Sequence, residues 1–305
     1  MIEGNGSLPA PPRSPLFLSV VMPVKNAEAT ISRQIEALIG QKLDDAAVSG
    51  WELIIADNGS TDATVAIASS YGATFDALVV IDASDAPGAS HARNAGARSA
   101  KGDDLVFCDG DDEVLPGWLA AYAEAYAGGA DLVAGPLVTE EINPPESQWR
   151  PSPIVESLPS RWDFLPFGYS ANLGITAAAF SELGGFDESL LCGGEDVDLC
   201  WRAQLGGLSL RFSPEARVHY RFKDGPSAIF RQTFTYGLSD PILRRRFKKS
   251  GLRTPVVAGL ARWAWLAKHV PDALQRGAGR ERWMLTAGYC AGRLVGSFRE
   301  RTLVI

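Results

Sequence analysis

The sequence runs to 305 residues, 46% hydrophobic and 21% charged, an ordinary globular balance with enough apolar content for a sizeable core in one large domain or two smaller ones. Its net charge of −7 argues against a dedicated nucleic-acid binder, but the charge is uneven: residues 241–305 carry 14 Lys/Arg and 3 Asp/Glu, or +11, which leaves −18 on the rest. Four cysteines with no CxxC pair exclude a zinc ribbon or a disulfide framework, and no apolar run reaches the roughly 18 residues of a spanning helix.

The first fifteen residues are rich in Pro, Gly and Ser, lack an apolar signal core, and read as a disordered lead-in. Phe17 to Val24 is a continuous apolar strand stopped at its proline, and Ala29 to Ile39 puts Ile31, Ile35, Leu38 and Ile39 on one helical face. Trp51 to Ala56 is a second strand; Asp57-Asn58-Gly59-Ser60-Thr61 is a turn whose Ser60 or Thr61 caps a helix from about Asp62 to Tyr71. Leu78 to Ile81 reads as a strand, Ser90 to Ser99 as a helix, and Leu105 to Cys108 as a short strand. This alternation implies βαβ units around a mainly parallel sheet. Polar clusters recur just past the strand ends, at Lys25-Asn26, Asp57-Asn58 and Asp109-Gly110-Asp111, on the edge where open α/β sheets bind ligands. Between Glu140 and Leu165 the pattern gives way to a Pro- and Trp-bearing loop, long enough to suggest a lid. From about Phe230 onward the chain reads as helical and basic.

Two acidic centres stand out. Asp109, Asp111 and Asp112 crowd three carboxylates after a buried strand, an arrangement that repels itself unless a cation intervenes, and oxygen donors suit Mg2+ or Mn2+. The same run can instead be a solvated turn that caps the following helix. An EF-hand register fails, with Val114 and Ala120 at its sixth and twelfth positions, and P-loop, GxGxxG, GxSxG and HExxH patterns are all absent. Phosphate binding without a P-loop points to a metal clamp. The second centre, Gly193-Gly194-Glu195-Asp196-Val197-Asp198, joins a glycine turn to a helix start whose dipole favours ionised carboxylates. It reads either as a base for an acceptor hydroxyl or as a helix cap with an Asp198–Arg202 pair.

Five blocks in order then resemble the GT-A-fold family 2 glycosyltransferases over roughly residues 17–220: Ser19 to Asn26, Ile54 to Asp62, Ala92-Arg93-Asn94-Ala95-Gly96, Asp109-Gly110-Asp111-Asp112, and Gly185-Phe186-Asp187-Glu188 leading to Gly194 to Leu199. The resemblance implies a Rossmann-like catalytic domain over 17–225 and a basic helical C-terminal extension over 226–305, after a tail ending at residue 16. It assigns nucleotide binding to Pro23, Val24, Asn26, Asp57, Arg93 and Asp109, and a Mn2+ or Mg2+ ion to Asp111 and Asp109. His219 falls where related enzymes sometimes add a metal ligand, and also fits a structural histidine. Asp196 takes the place of the general base with Glu195 beside it. The implied reaction is inverting transfer of a sugar from a nucleotide-diphospho-sugar donor to a saccharide or lipid-linked acceptor, in cell-envelope polysaccharide or glycolipid synthesis. Lys25 departs from the family's usual small polar or aromatic residue, which leaves the base identity open, and donor and acceptor choice is expected to rest on the 140–165 loop and the surroundings of Asn172. Two other readings are a sugar-1-phosphate nucleotidyltransferase, although Pro23-Val24-Lys25-Asn26 lacks that class's glycines, and a non-catalytic nucleotide-sugar or glycan-binding scaffold.

The basic tail, with Arg244-Arg245-Arg246-Phe247-Lys248-Lys249 followed by apolar stretches bearing Trp263 and Trp265, admits contact with a membrane surface, packing on the acidic body, or a homo-oligomer contact. A cytoplasmic protein, peripheral on the inner face of the membrane, is the matching expectation for location.

Overall fold

The computed structural model describes residues 15–43, 48–147, 149–150, 152–154, 156–254 and 256–304. The expected disordered lead-in over 1–16 lies almost entirely outside the described residues. The strands are β1 (Leu16–Val24), β2 (Val48–Asp57), β3 (Leu78–Asp82), β4 (Asp104–Cys108), β5 (Glu113–Val114), β6 (Leu132–Ala134), β7 (Leu137–Val138), β8 (Asn172–Thr176), β9 (Leu210–Phe212) and β10 (Val218–His219). The α-helices are α1 (Ile31–Ile39), α2 (Thr64–Ser70), α3 (Ala89–Ser99), α4 (Trp118–Ala127), α5 (Ala177–Glu182), α6 (Glu195–Leu205), α7 (Pro226–Phe247), α8 (Val256–Lys268), α9 (Val270–Leu274) and α10 (Ala278–Glu300).

Seven strands form one sheet in the order β3-β2-β1-β4-β8-β6-β9, with β3, β2, β1 and β4 parallel and β8 antiparallel to both its neighbours. The mainly parallel α/β sheet with flanking helices and a helical C-terminal region is therefore as the sequence predicts. Register aligns Val24 with Asp57 and Asp57 with Asp82, so the carboxyl ends of β1, β2 and β3 open together. A small sheet, β5-β10-β7, closes the end beyond β4.

Side chains of β1 alternate between two cores, as a period of two requires. Leu18, Val20 and Met22 pack with Ile31, Ile35 and Leu38 of α1 and with Trp118, Tyr122 and Tyr126 of α4. Val21 faces the other way, with Ile54, Leu105 and Phe107, against Phe180 of α5 and Val197 and Trp201 of α6. This second core also takes in Leu243 and Phe247 of α7, with the Trp201 and Phe247 rings edge-on at 5.2 Å. Helix α7, which opens at Pro226, thus closes over the second core. Packing on the acidic body holds for part of the tail: Arg246 pairs with Asp198 and Asp187, and Arg150 pairs with Glu281 at 2.9 Å.

Two local expectations differ. Neither Ser60 nor Thr61 caps a helix: α2 starts only at Thr64, because Asn26 takes up both residues, donating its amide N–H to Ser60 Oγ at 2.9 Å and accepting from the Thr61 amide at 2.8 Å. Asp62 accepts from the Thr64 amide instead, at 3.0 Å. Asn172 differs only in itself: Tyr169, Ser170 and Ala171 beside it line a cavity, as expected of its surroundings, but Asn172 does not. It is buried, its oxygen accepts from Trp118 and Tyr122, and its amide donates to Pro136 and Ala216.

Candidate active site

Two cavities meet at the carboxyl edge of the sheet. The larger, about 600 Å³, lies beyond β1 and β4 and is lined by Pro23, Val24, Asn26, Asn58, Asp109 and Asp111 together with Arg221 and Lys223. The smaller, about 250 Å³, is lined by Glu195, Asp196, Arg161, Tyr169, Tyr220 and Tyr236. Arg93 and Asp109 line both, so the cavities join at those two residues.

On the larger cavity, the strand-end loops are tied to each other before any ligand arrives. Asp57 does not line it; its carboxylate accepts the amides of Gly59 at 3.2 Å and Ser60 at 3.1 Å, which fixes the turn after β2. Asn58 is the neighbour that faces in. Its amide donates to the Ala83 and Ala86 carbonyls, and its oxygen accepts the Gly88 amide at 2.9 Å, so one side chain staples the loop that leads into α3.

Among the described residues, carboxylate oxygens of Asp109, Asp111 and Asp112 come within 4.8 Å of one another and form a group able to hold a metal ion. The loop that carries them is held from below by Gln34, which donates to the Asp109 carbonyl at 3.0 Å, and by Thr30, which donates to Gly110 at 3.1 Å. Cations of the chain already sit against these acids: Lys223 Nζ is 2.5 Å from Asp111, and an Arg93 Nη is 2.7 Å from Asp109. One Asp112 oxygen accepts the Arg221 amide at 2.8 Å while the other is buried without a partner. Burial, with the Asp111 and Asp109 charges added, holds the Asp112 carboxyl well above its usual range. Hard oxygen donors and an orphaned buried oxygen fit a divalent cation, for which the Lys223 ammonium stands in at Asp111. His219 is not brought into this group; it lies on β10 with Nε2 3.6 Å from Glu141.

The two acidic centres, far apart in sequence, are bridged by one buried guanidinium. Arg93, on α3, donates to Asp109 at 2.7 Å and to Glu195 at 3.2 Å, and stands over the Phe186 ring. On the smaller cavity, Glu195 and Asp196 open α6 behind Gly194, whose φ of +83° and close approach to Ser239 of α7 suit glycine alone. Asp196 accepts the amides of Val197 at 2.8 Å and Ser170 at 3.3 Å. The helix dipole was expected to keep both acids ionised at little cost, but burial outweighs it. Burial, then the Asp196 charge, lifts Glu195 to about 7 against the opposing pull of Arg93. Burial likewise raises Asp196, offset by the Val197 amide and by Arg161. The Asp198–Arg202 pair forms, at 2.7 Å, but the helix is not capped by a side chain: its N-cap is Gly194, without a side-chain cap bond.

Arg221 and Lys223 were missed from sequence, although a basic pair just past a strand end is the signal that marked the other clusters. Arg161, Tyr169 and Tyr236 carried no local signal at all. Comparison with known proteins agrees with this geometry. The family model described as "Glycosyl transferase family 2" matches residues 19–181. The pre-mycofactocin glycosyltransferase of Mycobacterium tuberculosis is 27% identical over 290 residues, covering 90% of this chain but only 58% of that protein, so the chain spans less than two thirds of this relative's length. Among solved structures, the mannosyltransferase PcManGT from Pyrobaculum calidifontis, in complex with GDP-Man and Mn2+, superposes with a TM-score of 0.63 at 16% identity over 94% of this chain and 89% of its own. Residues 1–349 of TarS of S. aureus, in complex with UDP-GlcNAc, give 0.54 at 17% identity over 93% of this chain and 92% of that fragment. At such identities these two structures speak for the fold alone, and it is the family match across more than half the sequence that decides membership: the chain belongs to glycosyltransferase family 2.

Proposed function

We propose that the chain moves a sugar, with inversion, from a nucleotide-diphospho-sugar to an acceptor hydroxyl. The observation that carries this reading is Arg93, which ties the three-aspartate loop of the larger cavity to the acid pair of the smaller one. The larger cavity takes the nucleotide, with Pro23, Val24 and Asn26 on its wall, Asp57 shaping the turn beside it, and Asn58 facing inward. Asp109 and Asp111, joined by Asp112, are the residues that would hold Mn2+ or Mg2+; His219 stays with its structural reading. A bound divalent ion would neutralise negative charge on the diphosphate.

Asp196 receives the proton of the acceptor hydroxyl as that oxygen attacks the anomeric carbon. The bond to the diphosphate breaks on the opposite face and its electron pair leaves with the diphosphate. Glu195, anchored by Arg93, shares the charge of the pair, and a base lifted toward neutrality by burial is matched to this work. Lys223 and Arg93 stand where negative charge on the leaving group develops. Family membership favours sugar transfer over nucleotidyl transfer. The base of the nucleotide stays open, since the two solved relatives carry GDP-Man and UDP-GlcNAc.

The test is a donor screen over UDP-, GDP- and dTDP-hexoses with Mn2+ or Mg2+, reading release of nucleoside diphosphate. Asp111→Ala is expected to abolish metal-dependent nucleotide binding. Intact binding in that variant would remove the metal assignment, and nucleotide binding without turnover on any donor would favour a binding scaffold.

The acceptor is proposed to be a saccharide or a lipid-linked one, met at a membrane surface. Among the described residues no helix is long and apolar enough to cross a membrane. Yet Leu260, Trp263, Val270 and Leu274 of α8 and α9 are exposed, and Arg244, Lys248, Lys249 and Arg253 cluster just before α8. An apolar strip next to fixed positive charge suits an interfacial helix on anionic lipid. Trp263→Asp should release the protein from phosphatidylglycerol vesicles in a sedimentation assay, with no binding to neutral vesicles in either protein. If wild type shows no preference for anionic vesicles, the reading fails, and self-association would then be the use of this face.

A further inference from the structure

Asp240 is fully buried in the middle of α7, where a lone carboxylate would be costly, and three groups meet it. Arg161 donates to one oxygen at 2.9 Å; Arg293 at 2.6 Å and the Tyr289 hydroxyl at 2.7 Å donate to the other. Two guanidinium groups thus meet on one carboxylate. Of the two, Arg161 is the one that lines the smaller cavity.

The segment that presents Arg161 is built for placement. Ser160 and Pro166 bridge to close it, and the Phe167 amide donates to the Pro159 carbonyl at 3.0 Å. Trp201 and Gln204 of α6 donate to the Leu165 and Pro166 carbonyls at 2.8 Å each. The last part of the 140–165 loop, expected from sequence to be a lid, is here a strap fastened to the helix that carries Asp196. Trp162 and Asp163 sit at φ of +56° and +51°, strained for residues with side chains, directly after Arg161. A strap that only needed closing would be served as well by an apolar side chain, since a buried ion pair adds little net stability over one.

We infer that Arg161 is a positioning residue of the transfer reaction, held by Asp240 so that its guanidinium faces Asp196 across the smaller cavity, and that the C-terminal helix pair α7/α10 is thereby part of the active site. The inference rests on the reading of Asp196 as the base. Asp196 is faced by Glu195 from its own helix, Arg93 from α3, Asp109 from the loop after β4, Arg161 and Tyr169 from the strap and its continuation, Tyr220 just past β10, and Tyr236 from α7. Both Arg161 and Arg93 favour the charged form of Asp196, Arg161 more strongly, while Arg93 bonds directly to Asp109 and Glu195.

The experiment follows the charge of Asp196 without any substrate. In the full chain, labelling of the Asp196 carboxyl by a water-soluble carbodiimide is read by peptide mass spectrometry across a pH series that spans its midpoint, which burial places above the ordinary aspartate value. Arg161→Gln and Arg161→Met remove the charge while leaving Asp240 its bonds from Arg293 and Tyr289, so at least one is expected to fold, with Mn2+-dependent nucleotide binding as the control. In either, the labelling midpoint should rise by about one pH unit. Arg161→Lys, which keeps the charge without the planar fork, should hold the wild-type midpoint. Donor hydrolysis measured below the labelling midpoint should fall by up to about tenfold in kcat in the neutral variants with KM little changed, because a base that titrates about one pH unit higher is charged about a tenth as often there. Equal midpoints in wild type and a folded neutral variant overturn the inference. Asp196→Asn, assayed alongside, separates the two readings: turnover retained there defeats the base assignment, whereas a dead Asp196→Asn with unchanged midpoints defeats the role of Arg161 alone.

Discussion

The two halves of the site are assembled in opposite ways. The half proposed to take the nucleotide is made mainly of loops that directly follow β1, β2 and β4, side by side on one sheet, and Thr30 and Gln34, just past the first of these loops, reach across to brace Asp109-Gly110. The acceptor half gathers the start of α6, the strap around Arg161, and α7 backed by α10, so its parts come from segments tens of residues apart. In the first half the sheet supplies the geometry, and a short motif suffices to place a side chain. In the second, geometry depends on helix packing at a distance, and the polar groups are held by buried ion pairs. Damage to the C-terminal helices should therefore spare nucleotide binding and abolish transfer.

The largest effect expected on these terms comes from Gly292. The facing stripes of α7 and α10 approach so closely that a Cβ on Gly292 would sit 2.1 Å from the Phe234 carbonyl oxygen, and one on Gly237 would sit 2.3 Å from that of Tyr289. Backbone cannot swing aside as a side-chain tip can, so Gly292→Ala must part the helices. The expected cost is about 1–3 kcal/mol, the range for overpacking, read as a lower thermal midpoint. Parting α7 from α10 shifts Arg293 and Tyr289 away from Asp240, so donor turnover should fall further than stability alone accounts for. Mn2+-dependent nucleotide binding should persist below the melt. Equal loss of nucleotide binding would break the division into two halves.

The same division explains what the sequence could reveal. Strands β1, β2 and β4 and the acids at their ends were legible because each is an apolar run followed by a polar turn, and a single period governs it. Arg93 was legible as part of a motif, though its bridge from Asp109 to Glu195 was not, since no local pattern records a contact 102 residues away. Around Asn172 the reading was right about place but silent about roles: Tyr169, Ser170 and Ala171 line a cavity, whereas the four hydrogen bonds of Asn172 serve the core. Arg161 was invisible because an arginine in a Pro- and Trp-rich loop is read as solvated until the carboxylate of Asp240 is placed beside it. Local order writes itself into spacing, whereas ion pairs between distant helices do not.

The smallest effect expected lies at Lys223, where the nucleotide half borrows a residue from far along the chain. Its ammonium pairs with Asp111 at 2.5 Å, with roughly half of the lysine side chain exposed and a third of the aspartate. A pair this open is worth at most about 1 kcal/mol once water screens it. The Lys223 ammonium therefore competes only weakly with a divalent ion for Asp111: Lys223→Gln should bind Mn2+ alone up to about fivefold more tightly than wild type, the factor that about 1 kcal/mol allows. Nucleoside diphosphate binding with Mn2+ present should move the other way, because the lysine lines the nucleotide cavity and offers the phosphates a positive charge. Calorimetric titrations with Mn2+, then with UDP and GDP at saturating Mn2+, separate the two effects. If both affinities weaken together, Lys223 supports the loop itself instead of competing for Asp111, and the nucleotide half leans on the distal chain as heavily as the acceptor half does.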